Sequence, residues 1–319
     1  RRGAARAGRG RWNARHRGRR GMGARGTLRW AVNVTVWEPE GEEFDWLIST
    51  MPTEHTERIK KFVREEDRKR SLVSRLLQFA ACREVFGLSN DEVLIKRTKG
   101  SKPFMANVPD DPEMPNWNFN VSHEGDFVVL AAEPLFVCGV DVAAPEQTRN
   151  TLRAESLEDF FHTMRNVLTP NEWRVVRSGK TEEEQEDLFR RHWSLKEAFV
   201  KGRGDGIAFE LGKCEFSFHG TPWANTASVS VGNHTRRKWR FYMEELDNRH
   251  WVSVARGPPS DIVDAHGEFK GQFRRPEIPA REHEEELRLP SPPFEMRTVA
   301  DLVETGRKDD YASAGGDVI

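Results

Sequence analysis

The chain of 319 residues carries 50 Lys and Arg against 51 Asp and Glu, a formal charge of −1, which excludes a polycation coated for nucleic acid. Hydrophobic residues make up 37%, with 10 Trp and 19 Phe, so the chain can bury a sizeable core at a length of about two domains. A bilayer span takes about 20 consecutive apolar residues; the best stretch, Val128 to Ala144, is broken by Glu133, Pro134 and Asp141, and no membrane partner is expected.

The first 26 residues hold 10 Arg and no acid, and Trp12 and Met22 are their only large apolar side chains. Such a segment cannot bury a core and is expected to be disordered. It reads either as a translated upstream extension, with Met22 just before the first strand, or as a targeting or nucleic-acid-binding arm. Without it the balance is 40 basic against 51 acidic residues.

From Leu28 to Val36, apolar residues alternate with Arg29, Ala31, Asn33 and Thr35, the period of a half-buried strand. A helical region follows from Glu54 to Phe86, with Leu72, Leu76, Phe79 and Arg83 at helical spacing and Gly87 as a stop. Ser89 and Glu92 form a capping box. Leu94 to Arg97 reads as a short strand entering a polar loop, and Asp126–Glu133 and Phe136–Val142 as two strands joined at Pro134. Thr169, Pro170 and Glu172 start a helix. The longest helix is expected from Glu182 to Lys201, stopped by Gly202, and three late strands at 214–218, 238–245 and 251–256. The three cysteines, Cys82, Cys138 and Cys214, lie too far apart for a zinc pattern and are odd in number, which favours a reducing compartment.

This order predicts an α+β fold, with a disordered extension over 1–26, an N-terminal half over 27–136 and a C-terminal half over 137–257. The tail, 258–319, is expected to be mostly unpacked, with 294–303 its one segment apolar enough to dock.

Three places carry chemistry. On the last long helix, Leu188, His192, Leu195 and Phe199 share one side, while Arg190, Ser194, Glu197 and Lys201 share the other. Glu197 and Lys201, four apart, are either a solvent-exposed ion pair or part of a site. Asp141 interrupts the apolar strand Gly139-Val140-Asp141-Val142 and is either a turn cap or a hard-cation ligand of the Mg²⁺ kind. Asn120-Val121-Ser122-His123 offers hydroxyl, imidazole and backbone donors. Neighbours in a strand point to opposite faces, which argues against a Ser122–His123 dyad and favours phosphate coordination.

The Gly-x-Asp element at 139–141, the Trp-x-x-Lys-Glu-x-x-x-Lys element at 193–201 and the Ser-His pair at 122–123, in this order, resemble the large, broad-specificity 4′-phosphopantetheinyl transferases. The resemblance runs from about Leu28 to Arg256 and includes Phe119 through Phe127 and Leu130 through Pro134. It implies two similar α+β halves related by a pseudo-twofold, with the active site in the cleft between them. It also implies transfer of the phosphopantetheine arm of coenzyme A to a serine of an acyl carrier protein, releasing 3′,5′-ADP. Asp141 and Glu197 match the Mg²⁺ ligands, and Glu197 and Lys201 the catalytic residues. Coenzyme A contacts match Arg58, the loop Arg97, Thr98, Lys99, Gly100, Ser101 and Lys102, the segment Asn120, Val121, Ser122 and His123, and Glu197, Ala198, Phe199, Val200 and Lys201.

Two positions depart from the family pattern. Ala143 stands where many bacterial members carry a second acid, so a water would complete the coordination. Gly100 stands where animal members carry a lysine, with Lys99 one place earlier. The resemblance further implies a cytosolic monomer acting on carrier domains of the fatty acid synthase and aminoadipate reductase type, with Arg190 and Arg191 as a positive rim for them. The rival readings are a non-catalytic carrier-protein or nucleic-acid-binding module, and a hydrolase using Ser122 or Cys138 with His123.

Overall fold

The computed structural model describes residues 25–145, 150, 152–206, 209–232 and 234–318. In the N-terminal half, β1 (Leu28–Asn33) is followed by the helices α1 (Glu43–Ser49), α2 (Thr53–Thr56) and α3 (Glu65–Phe86). Then come the hairpin β2 (Ile95–Arg97) and β3 (Pro103–Met105) and the hairpin β4 (Asn118–Glu124) and β5 (Phe127–Glu133). The second half opens with β6 (Val137–Ala143), then α4 (Leu157–Thr163), α5 (Pro170–Arg177) and α6 (Glu182–Arg203). It continues with β7 (Cys214–Phe218), β8 (Thr226–Val231), β9 (His234–Thr235), β10 (Arg240–Leu246) and β11 (His250–Gly257). The tail adds α7 (Ala280–Leu287), β12 (Glu295–Met296) and α8 (Lys308–Ser313).

The fold is α+β, as expected, and two motifs of the same topology face each other. In the first sheet, ordered β12-β1-β5-β4, β1 pairs antiparallel with β5, and β5 with β4. In the second, ordered β6-β11-β10-β8-β7, β6 pairs antiparallel with β11, and β11 with β10. A 22-residue helix follows the first strand of each motif, α3 in one and α6 in the other, and each ends on a left-handed glycine, Gly87 and Gly204.

Four layers result: α3, two sheets, α6. Leu72, Leu76 and Phe79 of α3 cover Trp30, Val32 and Leu130 on one face of the first sheet. The other face, with Ala31, Val129 and Ala131, meets Cys138, Val140 and Val254 of the second. Leu195, Ala198 and Phe199 of α6 cover Phe216, Phe241 and Ala255 beyond. Both faces of β1 are therefore buried, unlike a half-buried strand, and Val36 lies past its end, 80% exposed. Arg29, on the side read as solvated, is buried in an ion pair with Glu133, which also lies 3.1 Å from Arg256 of β11.

The helical region 54–86 is split, α2 and a short 3₁₀ turn preceding α3. The tail is not an unpacked strand of chain. Phe269, Phe273, Leu287, Leu302 and Tyr311 are buried, and β12 adds a parallel edge to β1. Its apolar residues are spaced singly among charges and prolines, so no periodicity announced them. The expected disorder of 1–26 falls, up to residue 24, outside the described residues; the Gly26 carbonyl accepts the Trp117 indole N–H at 3.0 Å.

Candidate functional site

The two sheets are joined edge to edge by side chains. β6 is the outer strand of its sheet, and every second amide on its open side would be unsatisfied. Asn118 and Asn120 of β4 accept those of Cys138 and Val140 at 2.9 and 2.8 Å, and the Ser122 hydroxyl lies 3.5 Å from that of Val142. Alternate residues on one face of β4 thus register β6, and they hold Asp141 against Ser122, whose hydroxyl donates to the Asp141 carboxylate at 2.9 Å.

Asp141 is 4% exposed. The Lys201 ammonium donates to its Oδ1 and to the Ser122 hydroxyl at 2.8 Å, whereas its Oδ2 is buried without a hydrogen-bond partner. Burial raises the Asp141 pKa, while Lys201 and Ser122 act against the rise. One turn before Lys201, Glu197 is raised first by burial and then by the charge of Asp141, so the two acids share one electrostatic site. The polar stripe of α6 is not a solvated face: Ser194 is buried and bonds Ser253, and Lys201 is turned inward. Gly202 does not end the helix; Gly204 does, and Gly202 serves a close approach to β6.

A third acid was missed. Glu124, two residues beyond Ser122 on the same face of β4, is pushed up to about 8 by burial and by Asp141. Its place in the alternation Asn118, Asn120, Ser122, Glu124 was the available signal. The orphaned Oδ2 of Asp141, with Glu197 near enough to feel the charge of Asp141, fits a hard divalent cation. Among the described residues no cluster of three or more His, Cys, Asp or Glu side chains could hold one. Such an ion would take two carboxylates here and complete its sphere with water or ligand oxygens.

Beside this pair lies a cavity of about 380 Å³. Gly100, Ser101 and Lys102 of the β2–β3 loop, Asn120 and Val121 of β4, and Glu197, Val200 and Lys201 of α6 line it, with Phe209 and Leu211 beyond. Not every expected residue is turned into it. The Lys102 ammonium donates to the carbonyls of Cys138, Lys201 and Gly202 at 2.9, 2.9 and 3.2 Å, so its three protons tie the loop to β6 and to the end of α6 rather than to a phosphate. Ala198 and Phe199 are fully buried, Phe199 edge-on to Trp239 at 4.9 Å, and support the helix from behind. Thr98 closes its own loop by accepting the Lys102 amide, and Lys99 is exposed.

His123 points away from Ser122, open to solvent, as strand geometry requires. The cleft walls, and then Lys201 and Arg70, lower its pKa to about 4, so it is neutral at pH 7. Arg58 and Arg97 are exposed and close enough for their charges to act on each other. Arg190 and Arg191 make no outer rim: both are buried, Arg191 over the Trp251 ring at 4.2 Å and donating to the Ala224 carbonyl. All three cysteines are free and buried, and no helix among the described residues is long and apolar enough to cross a membrane.

Two family models match in tandem, as the two motifs do. Residues 35–135 match the 4′-phosphopantetheinyl transferase, N-terminal, and 137–255 the 4′-phosphopantetheinyl transferase superfamily. The rat L-aminoadipate-semialdehyde dehydrogenase-phosphopantetheinyl transferase is 35% identical over 238 residues, 73% of this chain and 75% of the rat protein. The human protein of that name is 34% identical with the same coverage. A phosphopantetheinyl transferase of Thraustochytrium is 36% identical over 71% of this chain and 77% of its own. The site residues from Arg58 to Lys201 lie in the matched regions, and the chain belongs to the 4′-phosphopantetheinyl transferase superfamily.

Proposed function

We propose that the chain moves the 4′-phosphopantetheine arm of coenzyme A to a serine hydroxyl of an apo acyl carrier protein, with Mg²⁺ assistance, releasing 3′,5′-ADP. The observation that carries this reading is the pairing of Asp141, with its orphaned Oδ2, and Glu197 beside a cavity large enough for part of a nucleotide ligand. Asp141 and Glu197 would hold the ion, which supplies neutralisation of pyrophosphate charge that would repel an incoming oxygen.

The chain's own groups account for the rest. The serine oxygen bonds to the β-phosphorus of the pyrophosphate, and the bond from that phosphorus to the bridging oxygen breaks. Glu197 takes the serine proton; its raised pKa brings it nearer the value at which a carboxylate is an effective base at neutral pH. Lys201, one turn on, balances the charge that builds on the departing 3′,5′-ADP. Lys102 fixes the loop 98–102 that walls the cavity, and Asn120 and Ser122 keep Asp141 in register. Carrier domains of the fatty acid synthase and aminoadipate reductase type, met by a monomer in the cytosol, are the partners this reading takes; three buried thiols suit that compartment.

The test mixes purified chain, coenzyme A, Mg²⁺ and apo carrier protein and weighs the carrier by mass spectrometry. A carrier heavier by one phosphopantetheine supports the reading, and an unmodified carrier of either type sinks it.

A further inference from the structure

The β10–β11 hairpin turns through Asp247-Asn248-Arg249-His250, and Asn248 and Arg249 both take the left-handed backbone, at φ 56° and 59°. Asparagine tolerates that conformation, but an arginine there is strained and persists only where its surroundings determine it. Here the surroundings are two other elements of the site. Arg249 pairs with Glu183 and Asp187 on the first two turns of α6, each at 2.9 Å. Asn248 donates to the Asp126 carboxylate at 3.0 Å, in the β4–β5 turn. His250 completes the set, its Nε2 accepting the Asp126 amide at 3.1 Å.

A backbone amide can only donate and a carbonyl only accept, so the imidazole is fixed as one tautomer. Nε2 offers its lone pair to Asp126, and Nδ1–H donates to the Asp247 carbonyl at 2.9 Å. The ring is 2% exposed and stands edge-on to Phe127 at 4.9 Å. It also shapes the turn it holds. Gly125 has a φ of 56°, and a Cβ there would lie 2.4 Å from His250 Nε2 and 2.5 Å from the Ala144 Cβ. Arg70 donates to the Gly125 carbonyl from α3 at 2.8 Å, and the Asp126 carbonyl accepts the Val34 amide at 2.8 Å. This boxed turn ends the ladder in which Asn118, Asn120 and Ser122 register β6. Ser122, three residues before Gly125, is the rung that bonds Asp141 and takes the Lys201 ammonium.

One hairpin tip therefore ties the end of that ladder to the helix that carries Glu197 and Lys201. We infer that residues 248–250 clamp β4 to α6 across the two halves, and that His250 is a positioning residue for the Ser122–Asp141–Lys201 group. What that group does rests on the transferase reading above; the clamp adds to it a residue that lies outside the motifs.

The experiment compares the full chain with His250→Leu and His250→Gln by amide hydrogen exchange and by transfer to apo carrier protein. Leucine fills the space without an acceptor, whereas the glutamine amide oxygen can stand where Nε2 stands. In His250→Leu the protection of the Asp126 amide should fall by about 10- to 100-fold, as for a hydrogen bond left half made. The Val142 amide, on the Ser122 rung, should lose protection with it, and the Cys138 amide, at the far end of the ladder, should not. At saturating coenzyme A and Mg²⁺, kcat of His250→Leu should drop by about tenfold with KM for coenzyme A within about threefold. His250→Gln should recover both protection and kcat. Unchanged protection at Asp126 or Val142, unchanged kcat, a glutamine variant no better than leucine, or failure of both to fold would make His250 a packing residue and overturn the inference. A parent chain that modifies no carrier fails the transferase reading instead, and the exchange at Asp126, Val142 and Cys138 still decides the clamp.

Discussion

Gly139 of β6 runs against Gly202 of α6 so closely that a Cβ on Gly139 would collide with the Ala198 carbonyl and lie 2.5 Å from the Gly202 amide. Two residues along β6 stands Asp141, and on the facing turn of α6 stand Glu197 and Lys201. The contact of the two glycines is what lets a strand carboxylate and a helix carboxylate serve one site.

Gly139→Ala should therefore damage site and fold together. Overpacking of this kind costs about 1–3 kcal/mol, and backbone cannot swing aside as a side chain can. Urea unfolding should show a lowered midpoint at unchanged slope, and transfer at a temperature where the variant is folded should require more Mg²⁺. A variant of unchanged midpoint and metal titration would mean that the helix and strand have room the distances deny.

Glu197→Gln and Asp141→Asn separate the two acids by role. A lost general base typically costs about 10²- to 10⁴-fold, so Glu197→Gln should stop carrier modification while calorimetry still shows coenzyme A binding. For Asp141→Asn the Mg²⁺ concentration giving half-maximal transfer should rise by at least about tenfold, since even groups behind a ligand are worth about 10–100-fold in metal affinity. Turnover of Glu197→Gln within threefold of the parent would remove it from the proton transfer.

Much of this site was legible as residue type and order, and much of the fold as periodicity. Asp141 stood out because an acid in a valine strand must have a reason, and the Ser89–Glu92 and Thr169–Glu172 capping boxes form as their spacing requires. What could not be read depended on partners distant in sequence. Gly202 looked like a helix stop, because its use, contact with Gly139, lies 63 positions away. Lys102 and Arg191 looked like surface cations, because the carbonyls and rings that occupy them belong to other elements. The repeat of β1-α3-β4-β5 in β6-α6-β10-β11 is one of topology, carried by different side chains in each copy.

Glu124 makes stability depend on pH in a stated direction. Its folded pKa, about 8, lies above the ordinary carboxylate value of 4.5. The native chain thus holds a proton that the unfolded chain has given up. The associated stability is complete below about pH 4.5 and is lost as the pH rises through about 8. Glu124→Gln, which cannot ionise, should melt higher than the parent at pH 9 by an amount on the order of 2 kcal/mol and equally at pH 4. A difference that does not change between pH 4 and pH 9 would show that the carboxyl is not proton-linked to folding.

Lys196 and Glu172 form an ion pair whose side chains are both fully buried, at 2.7 Å. Both groups have further partners: Lys196 donates to the carbonyls of Leu211 and Cys214, and Glu172 accepts the amides of Thr169 and Phe216. Burial raises the Glu172 pKa and Lys196 opposes the rise. Through this pair α5, α6 and β7 share one fastening. Removing one partner leaves an uncompensated buried charge, and Lys196→Met should cost about 3–5 kcal/mol. Adding Glu172→Gln removes that charge while keeping the acceptor for the Thr169 and Phe216 amides. The double variant should then be more stable than Lys196→Met alone, and a urea-unfolding cycle completed with Glu172→Gln should give a coupling of about 0.5–3 kcal/mol. Additive losses would mean that the pair contributes as two independent hydrogen-bonding groups.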